Sequence, residues 1–327
     1  VAEVQELYRI SRAAQMPGVQ ASIDANRQNT PTNAGATGRF AGSIPGFPER
    51  FDVTTYSASL GLSWELDFWG RLRDGTRAAV HEYLATRADM EAARTGVITE
   101  TVATYLEIAE TDHRLATARE TARLLAERSD VTRDRYERGL ASSFELFRIQ
   151  QSLSDARAAV PLLESALHDA RTRLAVLAGG FPDDLERLLP DAPRLPDAPL
   201  PIPAGLPSEL LAGRPDLVAA ANRMEAARRR AGVARADRLP RLSLTASGGT
   251  QSSELGDLVS TDQRFGLAAA SLLGPVFNSG ARRAAARAAT RRYEQAVLAY
   301  DRVVLTAFRE VSAALVALDR QRERLGL

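Results

Sequence analysis

The chain contains few residues of the kinds that perform catalysis or bind metals. It has no cysteine and only three histidines, His81, His113 and His168. Each histidine lies on a predicted helix without a second ligand four residues away, so the sequence indicates neither a metal site nor a catalytic base. Serines are numerous, but they form no Ser-His-Asp arrangement, and the segment GGTQSS is a loop rather than a phosphate-binding motif. We therefore expect no enzyme activity, no catalytic residue and no cofactor.

Composition narrows the possible partners. The 327 residues carry a net charge of +1, with 42 basic and 41 acidic side chains, and every basic one is arginine. This balance does not favour a nucleic-acid-binding protein, which usually has a concentrated basic surface, and we expect no nucleic-acid partner. No stretch approaches 18 apolar residues, so we expect no transmembrane helix. The arginine-rich segment 221–238 alternates arginine with alanine, which favours a solvated helix face.

Two stretches of the chain match each other in constant register. The segment that begins at Gly70 can be aligned with the one that begins at Gly280, and this alignment matches Tyr83 with Tyr293. Such internal repetition indicates two structural copies. In each copy we expect a helix, a strand, a loop, a second strand and a long helix, in this order.

The repeat predicts the organisation of the chain. Residues 1–180 form the first copy, 181–215 a Pro-rich connection, and 216–327 a shortened second copy. Within the first copy we expect strands over about 16–27 and 51–66 and a helical hairpin over about 70–178. Within the second copy we expect strands over about 239–252 and 262–274 and a long helix from about 280. The start at Val1, without a signal peptide, and the missing second hairpin lead us to expect a shortened chain.

The predicted strands alternate apolar and polar residues, and the polar ones are mostly Ser, Thr, Gly, Gln and Asn rather than charged. Small polar residues on one face and apolar residues on the other are typical of membrane barrel strands, although a half-buried soluble strand alternates in the same way. The expected lipid-facing positions are Val19, Ala21, Ile23, Tyr56, Ala58, Leu60, Leu62, Leu242 and Leu244. The expected pore-facing positions are Gln20, Ser22, Asp24, Ser57, Ser59, Ser243 and Thr245. Aromatic residues at the strand ends, Trp64 and Trp69 among them, fit an interfacial girdle.

Four strands cannot close a barrel, and an open sheet edge is not tolerated in lipid. If these are membrane strands, several chains must therefore share one barrel.

The helices are longer than those of most globular proteins. No proline occurs from Arg71 to Arg138, which corresponds to roughly 100 Å of helix and predicts an extended helical assembly. Gly139 is expected to end this helix in the left-handed conformation, and Ser142 or Ser143 to cap a returning helix. Pro161 predicts a kink or break in that second helix.

Several motifs together resemble the outer membrane efflux protein family, the TolC-like channels, and within it the OprM/NodT branch. They are SWELDFWGRLR from Ser63, YERGLASSFEL from Tyr136, LPSELLAGRPDLVAAANRMEAA from Leu206, LPRLSLTASGG from Leu239 and GPVFNSGARRAAA from Gly274. They occur in the family's order and cover nearly all of the chain. Among them, Arg214-Pro215-Asp216 is the most specific.

The resemblance implies an α+β membrane protein with a TolC-like fold. A homotrimer would place four strands of each chain in one twelve-stranded barrel in the outer-membrane lipid, above a long α-helical coiled-coil tunnel through the periplasm of a Gram-negative bacterium. The implied function is that of a passive exit duct in a tripartite efflux system, with a periplasmic adaptor protein and an inner-membrane resistance-nodulation-division (RND) pump as partners. Family members often carry a lipidated cysteine near their start. The adaptor would contact the hairpin tip formed by Arg138, Gly139, Leu140, Ala141 and Ser142.

Two alternatives remain from other readings of the sequence. The chain could be the outer-membrane duct of a type I protein secretion system, which the NodT-like motifs disfavour. It could also be a soluble coiled-coil scaffold, which would have no use for the alternating, serine-rich strands.

Overall fold

The computed structural model describes residues 1–31, 48, 50–181 and 213–326. Most of the Pro-rich connection predicted over 181–215 lies outside these residues. The chain divides into two compact units: residues 1–89 with 207–327, and residues 90–206.

The first unit contains a four-stranded sheet and the helices that lead into and out of it. In chain order it holds α1 (Ala2–Ala13), β1 (Gly18–Pro31), β2 (Arg50–Leu66), the first part of α2 (Arg71–Glu137), α4 (Pro215–Ala236), β3 (Arg241–Ser252), β4 (Arg264–Leu273) and α5 (Ala281–Leu325). Two short 3₁₀ helices, Leu255–Val259 and Thr261–Gln263, connect β3 to β4. The predicted order of helix, strand, strand and long helix is therefore present in both copies of the repeat.

The strands lie in the order β1-β2-β3-β4, and all three pairings are antiparallel. Because β1 and β4 are the outer strands, each leaves one edge without a partner strand among the described residues. Most residues of β1 and β4 are exposed, so no described helix of the first unit covers these two strands.

The second unit is a helical hairpin made of the rest of α2 and of α3 (Ser143–Leu177). Its core joins Ile108 and Leu115 of α2 to Leu167 and Leu174 of α3, with Ala170 and Ala175 filling the narrow spaces. Small alanines permit close approach of the two helices, as the alanine-rich sequence suggests. The hairpin therefore has an apolar core of its own.

Strand and helix bounds differ from the predictions at three places. The expectation of a loop for the segment GGTQSS is wrong for residues 248–252, because they pair with β2 and end strand β3. β1 continues to Pro31, because its polar end pairs with β2: Asn29 Nδ2 donates to Asp52 Oδ1 at 2.7 Å, and Pro31 lies opposite Arg50. The alternation that marked the strand stops at Asn26, so the pattern could not show this extension. α3 also runs through Pro161 without the predicted break.

None of the helices in the described part of the chain combines the length and the hydropathy that crossing a membrane requires.

Candidate functional site

The strand register sorts the predicted sheet positions onto two faces. Val19 lies opposite Leu62, Ala21 opposite Leu60 and Ile23 opposite Ala58. Since side chains directly opposite each other point to the same side of a sheet, these positions share one face. On β3 the same face carries Leu244 opposite Trp64, Leu242 opposite Leu66 and, nearer the loop end of β2, Ser252 opposite Tyr56. We call this the apolar face.

The other side of the sheet, the polar face, carries the small polar residues. Gln20 lies opposite Gly61, Ser22 opposite Ser59 and Asp24 opposite Ser57, while Ser243 lies opposite Glu65 and Thr245 opposite Ser63. The hydroxyl oxygens of Ser22 and Ser59 are 3.0 Å apart, within hydrogen-bonding distance. Every predicted pore-facing position thus lies on one face, and every predicted lipid-facing position on the other. Which face contacts lipid stays a prediction.

Strand β4 departs from this sorting. Its pairing with β3 places Phe265 opposite Gly249 and Leu267 opposite Ser247, so both large apolar residues lie on the polar face. Leu267 borders a hollow there together with Gln20, Ser22 and Thr245. The sequence of β4 (RFGLAAASLL) alternates little, so its register follows from its pairing with β3. The sequence gives no signal that Leu267 lies on the polar face, because only the pairing of β4 with β3 places it there.

Neither face is buried by the described residues of the first unit. Ile23 is 84% exposed, Val19 68% and Leu60 60% on the apolar face, and Leu267 is 63% exposed on the polar face. A sheet that exposes contiguous apolar residues in this way lacks a covering layer. The apolar face must therefore meet lipid or another protein surface.

The motif that begins at Ser63 forms the junction between β2 and α2. The Asp67 carboxylate accepts hydrogen bonds from the backbone N–H groups of Leu72 and Arg73 at 3.1 and 2.8 Å, and so caps the long helix. Arg71 donates to both carboxylate oxygens of Glu65 at 2.8–3.0 Å. Gly70 turns the chain with a φ of +76°. The family resemblance includes this motif, but the sequence alone does not predict that Asp67 caps the helix.

Two tryptophans tie this junction to its neighbours. Trp64 Nε1 donates to the carbonyl of Gln15 at 3.0 Å, and Trp69 Nε1 donates to the carbonyl of Pro240 at 2.7 Å. Both rings remain partly exposed. Aromatic rings with one anchored polar atom and an exposed apolar body are typical of membrane interfaces.

Ion pairs join α4 to the first part of α2. Arg229 contacts Asp74 at 3.3 Å, Arg230 contacts Glu82 at 2.8 Å, and Arg223 contacts Asp89. Arg223 and Arg230 remain exposed, as on a solvated helix face, whereas that expectation is wrong for Arg229, whose side chain is only 24% exposed because Asp74 of α2 faces it across the helix pair. Sequence spacing could not show this, since the partners lie far apart in the chain.

Glu225 lies among these ion pairs. It accepts hydrogen bonds from Arg228 at 2.6 Å and from Arg229 at 2.8 Å. The hydrogen bond from Arg228, reinforced by that from Arg229, lowers the pKa of the Glu225 carboxyl to about 2. His81 is the nearest histidine: its Nδ1 lies 2.9 Å from Asn222 Oδ1 and its Nε2 4.0 Å from Glu225. Over the described ranges, no cluster of three or more His, Cys, Asp or Glu side chains could hold a metal ion.

The Arg214-Pro215-Asp216 motif starts α4. Pro215 takes the first helical position, and Arg214 binds Asp216 and Glu310 of α5, each at 2.7 Å. The hydrogen bond from Arg214 lowers the pKa of the Asp216 carboxyl. The motif therefore fixes the start of α4 against α5.

The hairpin tip has the predicted geometry. Gly139 adopts a φ of +75°, its N–H donates to the Tyr136 carbonyl at 2.9 Å, and the Leu140 N–H donates to the Arg135 carbonyl at 2.7 Å. These two bonds form a Schellman motif. Ser142 Oγ accepts from the Glu145 N–H at 3.2 Å and caps α3.

The tip presents an exposed surface. Arg138 pairs with Asp134 at 2.8 Å, while Leu140 is 67% exposed and Ala141 lies beside it. A leucine this exposed at the end of a hairpin is available to a partner. The adaptor contact itself stays a prediction.

Comparison with known proteins agrees with this geometry. The model of the outer membrane efflux protein family matches residues 1–180 and 206–327. The chain is 33% identical to the outer membrane protein OprJ of Pseudomonas aeruginosa over 317 residues, which is 96% of this chain and 64% of OprJ. It is 32% identical to the probable efflux pump outer membrane protein TtgC of Pseudomonas putida over 321 residues, which is 97% of this chain and 63% of TtgC. The chain thus spans a little less than two thirds of the length of these relatives.

A solved structure of the outer-membrane channel OprN superimposes on the chain with a TM-score of 0.88 at 28% identity, over 99% of this chain and 70% of OprN. The chain belongs to the outer membrane efflux protein family and has the TolC-like fold. It is therefore a protein of the outer membrane, and its family is one of ducts rather than of enzymes.

Proposed function

We propose that this chain is part of a passive exit duct for small molecules, in which three identical chains share one barrel. Each copy contributes β1 to β4, so that β4 of one chain pairs with β1 of the next and twelve strands close the ring. The apolar face meets outer-membrane lipid, and the polar face lines the pore. Residues 1–180 and 216–327 are the two structural repeats, joined in sequence by the Pro-rich connection 181–215.

The observation that carries this proposal is the uncovered sheet. Its apolar face is exposed, and both outer strands lack a partner within the described chain. The polar face carries mostly small uncharged residues on β1 to β3, with Asp24 and Glu65 among the charged exceptions. Exposed backbone donors and acceptors at a sheet edge cannot be left in lipid, because each unsatisfied group costs several kcal/mol there, of the order of 2 or more. Pairing between copies removes both edges at once.

The partners follow from the hairpin tip and from the relatives. TtgC is named as an efflux pump outer membrane protein. By analogy, we infer that this chain works with a periplasmic adaptor and an inner-membrane RND pump, and that the pump supplies the energy. The residues Arg138, Gly139, Leu140, Ala141 and Ser142 form the adaptor contact, with Leu140 as its most exposed apolar side chain. We assign no catalytic role to any residue.

A complementation experiment tests the duct function. The protein, expressed with its natural termini, is introduced into a Gram-negative strain that keeps the cognate adaptor and pump but lacks the outer-membrane component. We expect lower accumulation of a fluorescent pump substrate and recovery of the protein in the outer-membrane fraction. Recovery in the cytosol would contradict the proposal and favour a scaffold. Restored export of a protein substrate with an ABC exporter, without restored dye efflux, would favour type I secretion.

A pair of leucine substitutions tests the tip. Leu140→Arg changes the exposed tip, while Leu124→Arg changes a comparably exposed leucine, 51% accessible, on α2. We expect Leu140→Arg to reduce adaptor capture and dye efflux and Leu124→Arg to leave both near the wild-type level. Equal effects of the two substitutions would remove the tip from the adaptor contact.

A further inference from the structure

A groove lined by arginine lies between the end of α4 and the start of α5. Five exposed arginines border it: Arg235, Arg238, Arg283, Arg287 and Arg291. Its floor is formed by the buried Ala286 and by Thr290, whose hydroxyl donates to the Ala286 carbonyl at 3.0 Å. The floor holds no charge that could balance the five guanidinium groups, and Glu294 is the one acidic residue among those that line the groove.

These arginines differ from the others on α4. Arg223, Arg229 and Arg230 each have an acidic partner on α2. In the groove, Arg291 binds Glu294 at 2.7 Å, whereas the other four arginines form no side-chain ion pair or hydrogen bond with the described residues.

The spacing makes this arrangement unfavourable by itself. Arg283, Arg287 and Arg291 follow one another at intervals of four residues on α5. Like charges at this spacing repel each other along one helix face. A bound anion would remove the repulsion, and guanidinium groups bind phosphate through paired N–H donors.

The groove lies beside the ends of the strands that lead into and out of the helices, and this position indicates which anion it would bind. Arg238 directly precedes Leu239 and Pro240 at the start of β3, and Arg283 lies in the first turn of α5. The Pro240 carbonyl accepts the hydrogen bond of Trp69, and Gly274, just after β4, lies so close that a Cβ built there would be 2.9 Å from Pro240 Cγ. The exposed side chains of Phe68, Trp69 and Phe277 flank the same ends of the strands.

Exposed aromatic residues beside a cluster of arginines are typical of a membrane–water interface that holds anionic headgroups. We propose that the arginine groove binds the phosphate-bearing headgroup of an anionic phospholipid, such as phosphatidylglycerol, in the leaflet next to the helices. This inference rests on the proposed membrane location of the strands. The bound headgroup, with its one negative charge, reduces the repulsion among the four unpaired arginines and holds the α4–α5 pair at a fixed depth below the membrane.

Lipid binding can be measured on the purified, delipidated protein in neutral detergent. Native mass spectrometry counts bound phosphatidylglycerol, with phosphatidylcholine as the zwitterionic reference. The groove variant carries Arg238→Gln, Arg283→Gln and Arg287→Gln. The matched control removes the same charge from the far part of α5 with Arg302→Gln, Arg309→Gln and Arg322→Gln.

We expect the groove variant to lose affinity for phosphatidylglycerol by at least about tenfold, because each arginine near an anionic surface contributes roughly a fivefold change. The control should keep the wild-type affinity, and neither variant should change the weak binding of phosphatidylcholine. Replacing the same three groove residues with lysine keeps the charge and should retain most of the affinity, which separates loss of charge from loss of folding.

Three results would overturn the inference. Equal loss in the groove variant and the control would mean that lipid responds only to total charge. Equally tight binding of inorganic phosphate would indicate an anion site without a membrane role. Dissociation of the oligomer by the groove substitutions in lipid-free detergent would make the groove a contact between copies. Because dye efflux and outer-membrane fractionation are measured separately, failure of lipid binding would leave the duct proposal standing.

Discussion

The helical hairpin buries apolar residues within the chain, whereas the sheet leaves apolar residues exposed. In the hairpin, Ile108 is 0% exposed and packs with leucines of both helices. In the sheet, Ile23 is 84% exposed although it lies in a regular strand. The hairpin therefore has a core within one chain, whereas the apolar face of the sheet is exposed and, under our proposal, depends on lipid and on neighbouring copies. This difference shows which part of the molecule requires assembly.

Truncation of the hairpin core should have the largest effect on a single chain. Ile108→Ala removes a fully buried side chain, and we expect it to lower the free energy of unfolding by about 2–5 kcal/mol. Denaturant unfolding followed by circular dichroism measures the change. Ile98→Ala, on the same helix at a position 55% exposed, is the control and should cost far less. Similar costs at the two positions would mean that the hairpin has no independent core.

A charge on the apolar face should prevent the sheet from inserting into lipid. Leu60→Arg places a cation among the residues that we assign to lipid, at a cost of about 2–4 kcal/mol near the membrane centre. The neighbouring Ser59→Arg places the same charge on the polar face, where water can solvate it. The amount of assembled protein in outer-membrane fractions measures both. We expect a strong reduction for Leu60→Arg only, and the reverse order would exchange the two faces.

Two glycines on or beside the long helix test the turn at the tip. Gly139 has a φ of +75°, which a side chain disfavours, whereas Gly96 is helical with no atom within 4 Å of a built Cβ. We expect Gly139→Ala to lower hairpin stability by about 1–2 kcal/mol. Gly96→Ala should raise stability by about 0.5–1 kcal/mol. Thermal unfolding of both variants checks the sign, and a loss at Gly96 would mean that its surroundings are closer packed than described.

Acid should weaken the ion pairs of the first unit before it affects the apolar hairpin core. Arg228 and then Arg229 lower the pKa of Glu225 from 4.5 to about 2, so its contribution is complete above pH 4.5 and is lost as the pH falls towards 2. Glu225→Gln should therefore reduce stability by at most about 1 kcal/mol at neutral pH and by nothing near pH 2. The melting-temperature difference from wild type, followed across this range, measures the effect. Glu100→Gln, which changes an exposed residue on α2, should show no such dependence.

The sequence predicted local features better than long-range ones. The turn at Gly139, the cap at Ser142 and the alternation of β1 and β2 follow from residues close in the chain, and the structure confirms their geometry. The polar extension of β1, the register of β4 and the pairing of Arg229 with Asp74 depend on partners distant in sequence. Alternation also separates two faces without stating which one meets lipid. That assignment came from the small uncharged residues on the polar face and from the family resemblance.

The mass of the purified assembly tests the shared barrel most directly. Native mass spectrometry of the protein, extracted from the outer membrane in mild detergent, should give a species of three chains. The two open edges of each sheet require neighbouring copies, and the family resemblance implies that the copies number three. Leu60→Arg should reduce its yield more than Ser59→Arg. A stable single chain with an intact sheet, or an assembly of another number of copies, would contradict the proposal that three chains close one barrel.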